Sequence, residues 1–125
     1  MILQLPFTLV VALGTSKVFH PATAFVPTAG LLKAFPEFEQ AASSAGIRVV
    51  CAVQVSNDGI TGGTISEIGT PLTGDGRNWG VNFDLANAIA NARFVRFGWY
   101  VCLAAQGPTE FARCGGQVVV TRSVD

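Results

Sequence analysis

Side chains able to carry out acid–base or nucleophilic chemistry are scarce in this 125-residue sequence. His20 is the only histidine and lies between Phe19 and Pro21 in a predicted extended segment. A single imidazole cannot complete a multi-histidine metal site, so a structural or interface role is predicted for it. Glu37 and Glu39 are two residues apart in a predicted helix, where such side chains point in different directions. The sequence therefore predicts no catalytic residues and no enzyme activity.

The cysteines and glycines match no metal or cofactor site. Cys51, Cys102 and Cys114 are an odd number without a CxxC pair, which argues against a disulfide framework and against zinc. They are predicted to be small apolar residues within strands, in a reducing compartment. The glycines of residues 59–76 match neither GxxxxGK[ST] nor a GxGxxG that opens a helix. We therefore expect no bound metal and no cofactor.

The stretch RFVRFGWY at residues 93–100 combines arginines with aromatic side chains, as nucleic-acid-binding strands do. Guanidinium groups suit phosphate because they donate several hydrogen bonds in one plane. The alternative is that the aromatic side chains fill the core, while the arginines are solvated strand ends or pair with Glu110 and Asp84. Eight basic residues balance eight acidic ones, so contact with nucleic acid is expected to be weak and local. The candidate contacts are Arg93, Arg96 and Arg122.

Composition limits the kinds of structure that can hold these residues. Hydrophobic residues make up 50% of the chain and charged residues 13%, about half the charged share of an ordinary soluble domain. A chain of this length is predicted to form one domain, residues 1–125. Its apolar runs are shorter than the roughly 18 to 20 residues that a membrane-spanning helix needs, so no membrane contact is predicted.

Alternation of apolar and other residues predicts several strands. LQLPFTLVVAL at residues 3–13 has an apolar residue at every odd position, and residues 47–56 and 93–103 alternate in the same way. Pro21 cannot donate to a ladder, so the segment 18–25 is predicted to lie at a sheet edge. The residues predicted to fill the core are Leu5, Phe7, Leu9, Val11, Val49, Cys51, Val53, Val95, Phe97, Trp99 and Val101.

Two further segments have the spacing of apolar residues that is typical of a helix, and a third has that of a strand. Residues 31–42 place apolar side chains three and four apart, with Pro36 limiting a helix to the part after it, and residues 85–92 could form one or two turns. Residues 111–122 form a last predicted strand. Six to eight strands with one or two short helices predict an all-β fold, an antiparallel β-sandwich of jelly-roll type or an open barrel. Strands and helices do not alternate regularly, which argues against a parallel sheet.

The order of these elements resembles a known family of shell proteins. An LQLPF strand, LLKAFPEFEQA running into IRVVCAVQVS, then GGTIS, and a final RFVRFGWYVCLAA with GGQVVVT are similar to the jelly-roll coat proteins of small icosahedral RNA viruses. The tymovirus-like coats, which lack a strongly basic arm, are the most similar; here the first basic residue is Lys17. The resemblance covers most of the chain.

This resemblance implies a structural capsid protein without catalytic residues. Such a subunit assembles with copies of itself into an icosahedral shell around a nucleic-acid genome, and its functional sites are lateral interfaces. The resemblance also implies that the protein lies in the virion and is assembled in the host cytoplasm. The alternative function from another class is a carbohydrate-binding or phage-accessory β-sandwich module, since an exposed aromatic ring on a sheet face can stack on a sugar.

Overall fold

A computed structural model describes residues 1–11, 18–43, 47–73, 76–78, 82–103 and 111–123. Most of these residues lie in strands, and one short helix is present among them. The elements are β1 Ile2–Val11, β2 Val18–Pro21, β3 Val26–Pro27, β4 Leu31–Ser43, β5 Ile47–Ser56, β6 Ile65–Glu67, β7 Gly76–Asn78, β8 Phe83–Asp84, α1 Ala86–Ile89, β9 Phe94–Leu103 and β10 Phe111–Arg122.

The strands form two sheets, and every pairing within them is antiparallel. Sheet I has the order β1-β10-β4-β7, with β8 also paired to β4. Sheet II has the order β2-β9-β5-β6, with β3 also paired to β9. The chain passes repeatedly from one sheet to the other, and its last strand returns beside its first, which is the connectivity of a jelly roll. The predicted all-β sandwich is confirmed.

The core lies between the two sheets. It contains most of the apolar residues that alternate strictly with other residues along the predicted strands. On β5 and β9 the odd-numbered side chains face inward, and Cys51 lies opposite Trp99 in the ladder. The Trp99 ring centroid is 5.4 Å from that of Phe38 on β4, so this pair joins the two sheets. The predicted core residues of these two strands are all fully buried, namely Val49, Cys51, Val53, Val95, Phe97, Trp99 and Val101.

On β1 the prediction of one continuous inward face is wrong. Leu5 is buried, but Phe7 is 51% exposed and Leu9 is 61% exposed, so both lie on the outer face. Thr8 and Val10, which the alternation placed outside, are half-buried and buried respectively. The direction of the side chains therefore reverses partway along this strand. The side chain of Val11 lies outside the described residues.

A β-bulge causes this reversal. Leu5 pairs with Gly116 and Thr8 pairs with Cys114, so three steps along β1 match only two along β10. One extra residue in a strand turns every later side chain to the other face of the sheet. Pro6 lies within the bulge, and its missing N–H is tolerated because β1 is an edge strand of sheet I.

The helix predicted within residues 31–42 is also wrong, because this segment is strand β4. It pairs with β10 along nearly its whole length, and Ala34 and Phe38 point into the core. The segment LLKAFPEFEQA fits both periods, since apolar residues recur three and four apart and also alternate. Pro36 disfavours a helix, and pairing with β10 selects the strand. As a consequence Glu37 and Glu39 lie on the same outer face, contrary to the sequence-based expectation.

The remaining connections agree more closely with the sequence. Helix α1 is one short turn within the predicted segment 85–92. Strand β2, which ends at Pro21, lies at an edge of sheet II as predicted. No helix in the described part of the chain is long and apolar enough to cross a bilayer.

Candidate functional site

The outer face of sheet I carries a row of exposed apolar side chains. The bulge in β1 places Phe7 and Leu9 on this face, and Ile2 near the start of the same strand is 61% exposed. Phe111, at the start of the adjacent strand β10, is also exposed on this side. Large apolar side chains concentrated on one face of two neighbouring strands are typical of a contact surface.

Beside Phe7 this face contains a cavity of about 300 Å³, which we call the glycine cavity. Gly115 and Gly116 of β10 leave its floor without side chains. A Cβ atom added to Gly115 would lie 2.5 Å from Cγ of Phe7, so the Phe7 ring rests against the bare backbone. The lining residues are Phe7, Glu37, Phe38, Glu39, Arg77, Gly115, Gly116 and Gln117.

Charged groups surround the glycine cavity. Arg77 Nε on β7 lies 3.1 Å from Glu39 Oε2, forming an ion pair across the rim. Gln117 Nε2 donates to Glu37 Oε2 over 3.0 Å. Both carboxylates therefore have partners within the chain. The Arg113 guanidinium, which is not among the lining groups, lies 6.0 Å from the centroid of the Phe7 ring.

The three arginines predicted to contact nucleic acid are not equivalent. Arg122 donates from Nη1 to the carbonyl oxygen of Ala29 over 2.8 Å, and the carbonyl oxygen of Arg93 accepts from Thr28 N over 2.9 Å. These arginines are 29 residues apart in sequence, yet the fold brings both to the loop between β3 and β4. Both side chains are exposed.

Arg96 is instead held against its own chain. Its Nε and Nη2 donate to Gln54 Oε1 over 2.9 and 2.7 Å, and its guanidinium lies 4.4 Å from the centroid of the Phe25 ring. Of the two predicted acidic partners of the arginines, Asp84 accepts from Ala86 N, and Glu110 lies outside the described residues. Contact of the three arginines with nucleic acid stays a prediction.

The loop after β5 is a feature that sequence reasoning treated only as a turn. Asp58 Oδ1 accepts from Ser56 Oγ over 2.9 Å, from Ile60 N over 2.8 Å and from Thr61 N over 2.6 Å. These backbone hydrogen bonds lower the pKa of Asp58, so its carboxylate is charged at neutral pH. Ile60 at the tip of this loop is 82% exposed. The signal in the sequence is the single apolar residue in NDGITGGT.

The thiols of Cys51 and Cys114 lie in the core rather than at these surfaces. Burial raises the pKa of Cys114 to about 12 and raises that of Cys51 still further, so neither thiol is a nucleophile at neutral pH. Burial lowers the pKa of His20. His20 Nε2 and Trp99 Nε1 lie on paired strands, and both are buried without a hydrogen-bond partner among the described residues. The described part of the chain contains no group of three or more His, Cys, Asp or Glu side chains placed to bind a metal ion.

Comparison by sequence and by structure gives different results. No protein-family model matches the chain, and no curated protein matches its sequence. A chain from the icosahedral particle of infectious bursal disease virus matches 98% of this chain with a TM-score of 0.66 and 12% identity. A mutant VP2 protein of that virus, in derived particles, matches 98% with a TM-score of 0.64 and 12% identity. A chain from its Gt strain matches 96% with a TM-score of 0.62 and 11% identity.

These likenesses concern the fold and one region of larger proteins. The present chain covers 30% to 32% of the length of the three viral chains. At such low identity the shared property is the fold alone. The structural neighbours are thus chains of an icosahedral virus, and they share the fold of this protein over nearly its entire length.

Proposed function

We propose that this chain is a structural capsid protein that assembles with copies of itself into an icosahedral shell around a nucleic-acid genome. The observation that carries the proposal is the match of 98% of the chain, at a TM-score of 0.66, to a chain of an icosahedral viral particle. The proposal takes residues 1–125 as one jelly-roll domain without enzyme activity. It places the protein in the virion, with assembly in the host cytoplasm.

The outer face of sheet I supports self-assembly. Phe7, Leu9 and Ile2 are each about half exposed or more, and burying such side chains against another subunit would contribute about 25 cal/mol for each Å² of apolar surface. In a monomer the same side chains remain in water, and this free energy of burial is not released. A surface of this kind is favoured when copies of the chain meet.

The sequence and the structure resemble coat proteins of different virus groups. The solved structures that match belong to infectious bursal disease virus, whereas the sequence resembles the tymovirus-like coats. The common element is a jelly-roll shell protein. Contact with the genome is proposed to be weak, and the loop between β3 and β4, with Arg93 and Arg122, is its proposed location.

The direct test is the size of the purified protein. Size-exclusion chromatography with light scattering, followed by negative-stain microscopy, is expected to show large regular particles. A monodisperse monomer of 13.1 kDa at high protein concentration would contradict the proposal. If that monomer bound immobilised sugars on a glycan array, the carbohydrate-binding alternative would replace it.

A further inference from the structure

The side chains of His20 and Trp99 each contain a buried polar atom that the fold leaves unsatisfied. His20 Nε2 and Trp99 Nε1 are both buried and have no hydrogen-bond partner among the described residues. Buried polar atoms in proteins nearly always have a partner, so each exception needs an explanation. The proposed function uses neither atom.

The pairing of β2 with β9 places the two rings side by side. His20 is directly opposite Trp99 in this antiparallel ladder, and directly opposed side chains point to the same face of a sheet. Trp99 is fully buried and belongs to the core, so the His20 side chain lies on the inner side of sheet II. Because β2 is an edge strand, the imidazole lies beside the indole at the border of the core.

The protonation state of the imidazole decides whether the two atoms are compatible. The indole N–H can only donate a hydrogen bond, whereas Nε2 of a neutral imidazole accepts one when the proton is on Nδ1. One ordered water molecule, which both accepts and donates, can satisfy both atoms in that state. A second proton on the ring converts Nε2 into a donor. Two buried donors then lie on paired residues, and a positive charge lies at the border of the core.

The neighbours of His20 on the inner side of sheet II provide no charge to stabilise an imidazolium. The nearest residues of β9 on this side are Phe97 and Val101, which are apolar. The titratable side chains of the described core are Cys51 and Cys114, whose thiols stay neutral because burial raises their pKa. Burial also lowers the pKa of His20 itself.

The charged groups of the adjacent strands point away from His20. Arg96 and Tyr100 of β9 lie on the other face of sheet II, where the Arg96 guanidinium is 5.9 Å from the centroid of the Phe19 ring. The carboxylates of the described strands also lie on the outer faces, namely those of Glu37, Glu39, Glu67 and Asp84. The only charge that can develop beside Trp99 among these groups is therefore that of His20.

Strand β2 is attached in a way that allows it to open alone. It contains four residues, and among the described strands it pairs only with β9. Directly after it, Ala22 N donates to the carbonyl oxygen of Phe97 over 2.9 Å, a hydrogen bond that does not involve the imidazole. Short segments at the border of a fold open locally with a small free energy. A change at His20 can thus shift the opening of β2 while the rest of the sandwich stays folded.

We propose that β2 is an acid-sensitive edge strand: neutral His20, whose Nε2 accepts a hydrogen bond from the Trp99 indole through one water molecule, keeps it closed, and protonation of His20 opens it. A closed state that disfavours the imidazolium binds the proton less readily than the open state, so acid shifts the equilibrium toward opening. The inference goes beyond the proposed function and does not depend on it, because it concerns a single chain.

Hydrogen exchange followed by mass spectrometry tests the opening. Protection of the peptide that contains β2 is compared at pH 8 and pH 5, after correction for the intrinsic exchange rates. An ordinary pKa of 6.5 in the open state, with no proton bound in the closed state, gives an opening constant about thirtyfold larger at pH 5. We expect a several-fold loss of protection, up to this limit. Equal protection at both pH values would overturn the proposal.

Strand β6, Ile65–Glu67, is the matched control region, because it forms the opposite edge of sheet II. Its protection is expected to be the same at pH 8 and pH 5. An equal loss of protection in β2 and β6 would overturn the proposal, since it would reflect unfolding of the whole domain.

Two variants remove the ionisable ring. His20→Gln retains an oxygen that accepts a hydrogen bond, and His20→Phe retains an aromatic ring of similar size. His20 is the only histidine of the chain, so both variants are expected to show β2 protection that does not change between pH 8 and pH 5. PH-dependent protection of β2 in either variant would assign the opening to another group and overturn the proposal.

The tautomer of His20 provides an independent measurement. In protein labelled with ¹⁵N-histidine, the single imidazole is expected to carry its proton on Nδ1 at pH 8, with Nε2 unprotonated, in the ¹⁵N NMR spectrum. A proton on Nε2 at this pH would overturn its role as the acceptor. Particle formation enters none of these measurements, so this inference and the proposed function fail separately.

Discussion

On the outer face of sheet II, Val50 and Ala52 of β5 point away from the core and are nevertheless fully buried. Other side chains of the same chain cover this face. Arg48 Nη1 and Glu67 Oε1 form an ion pair at 2.9 Å there, and Arg96 is bound to Gln54 on the same side. On the outer face of sheet I, Phe7 and Leu9 are more than half exposed.

This difference between the two outer faces indicates which of them is available for contact with other molecules. Sheet II completes its outer surface with its own ion pair and aromatic rings, so little apolar area is left to bury. Sheet I exposes apolar side chains around a cavity with a glycine floor. Between the two outer faces, free energy from further burial is therefore available mainly at sheet I.

The largest effect is expected from a charge placed between the sheets. Phe97→Asp puts an unpaired carboxylate in the dry core, and we expect a loss of more than about 4 kcal/mol, comparable to the whole stability of a small domain. Circular dichroism should show no cooperative thermal unfolding. Native-like spectra and melting for Phe97→Asp would show that the inner face of β9 is wrongly assigned.

The matched change on the outer face is Phe7→Asp, which replaces the same type of side chain on sheet I. We expect the free energy of unfolding to change by no more than about 1 kcal/mol, because Phe7 is half exposed, while particle yield falls sharply. Urea unfolding and light scattering measure the two quantities. Leu9→Asp provides a second variant on the same face. Full particle yield from both variants would show that the outer face of sheet I takes no part in assembly.

A smaller effect is expected from pH and involves His20. Burial lowers the pKa of His20 below its ordinary 6.5, so the unfolded chain binds the proton more readily than the folded one. Stability is therefore complete above about pH 6.5 and decreases as the pH falls toward the pKa of the folded state. Urea midpoints at pH 8 and pH 5 should differ less in His20→Phe than in the natural protein. An equal difference in the two proteins would assign the pH dependence to other groups.

The smallest effect is expected at the arginines. Replacing Arg93 and Arg122 together with Gln should lower the nucleic acid per particle, measured by the ratio of absorbance at 260 and 280 nm. Each lost phosphate contact reduces the slope of binding against salt by about 1. Arg96→Gln is expected to change nucleic-acid content less, because Gln54 and Phe25 already engage its guanidinium. If particles of the Arg93 and Arg122 double variant contained as much nucleic acid as the natural particles, these two arginines would not be the site of genome contact.

Alternation along the chain was sufficient to predict β5 and β9 and the inward side of each. Both strands lie within sheet II, paired along their full length, and they contain no bulge between them. Each side chain therefore keeps the face that simple counting gives it. The arginines could be named from the sequence, but their grouping could not, since the loop between β3 and β4 joins Arg93 to Arg122 only in the folded chain.

By itself the sequence determined that this protein is an antiparallel sandwich poor in reactive side chains, because those properties depend on composition and on the period of two. The tertiary structure decided the state of β4, whose residues fit a helix and a strand alike until β10 pairs with them. It also decided that Phe7 and Leu9 face outward, since a bulge exists only relative to a partner strand. The glycine cavity follows from the same pairing, which sets Phe7 against Gly115, and no local pattern encodes a contact between residues more than a hundred positions apart.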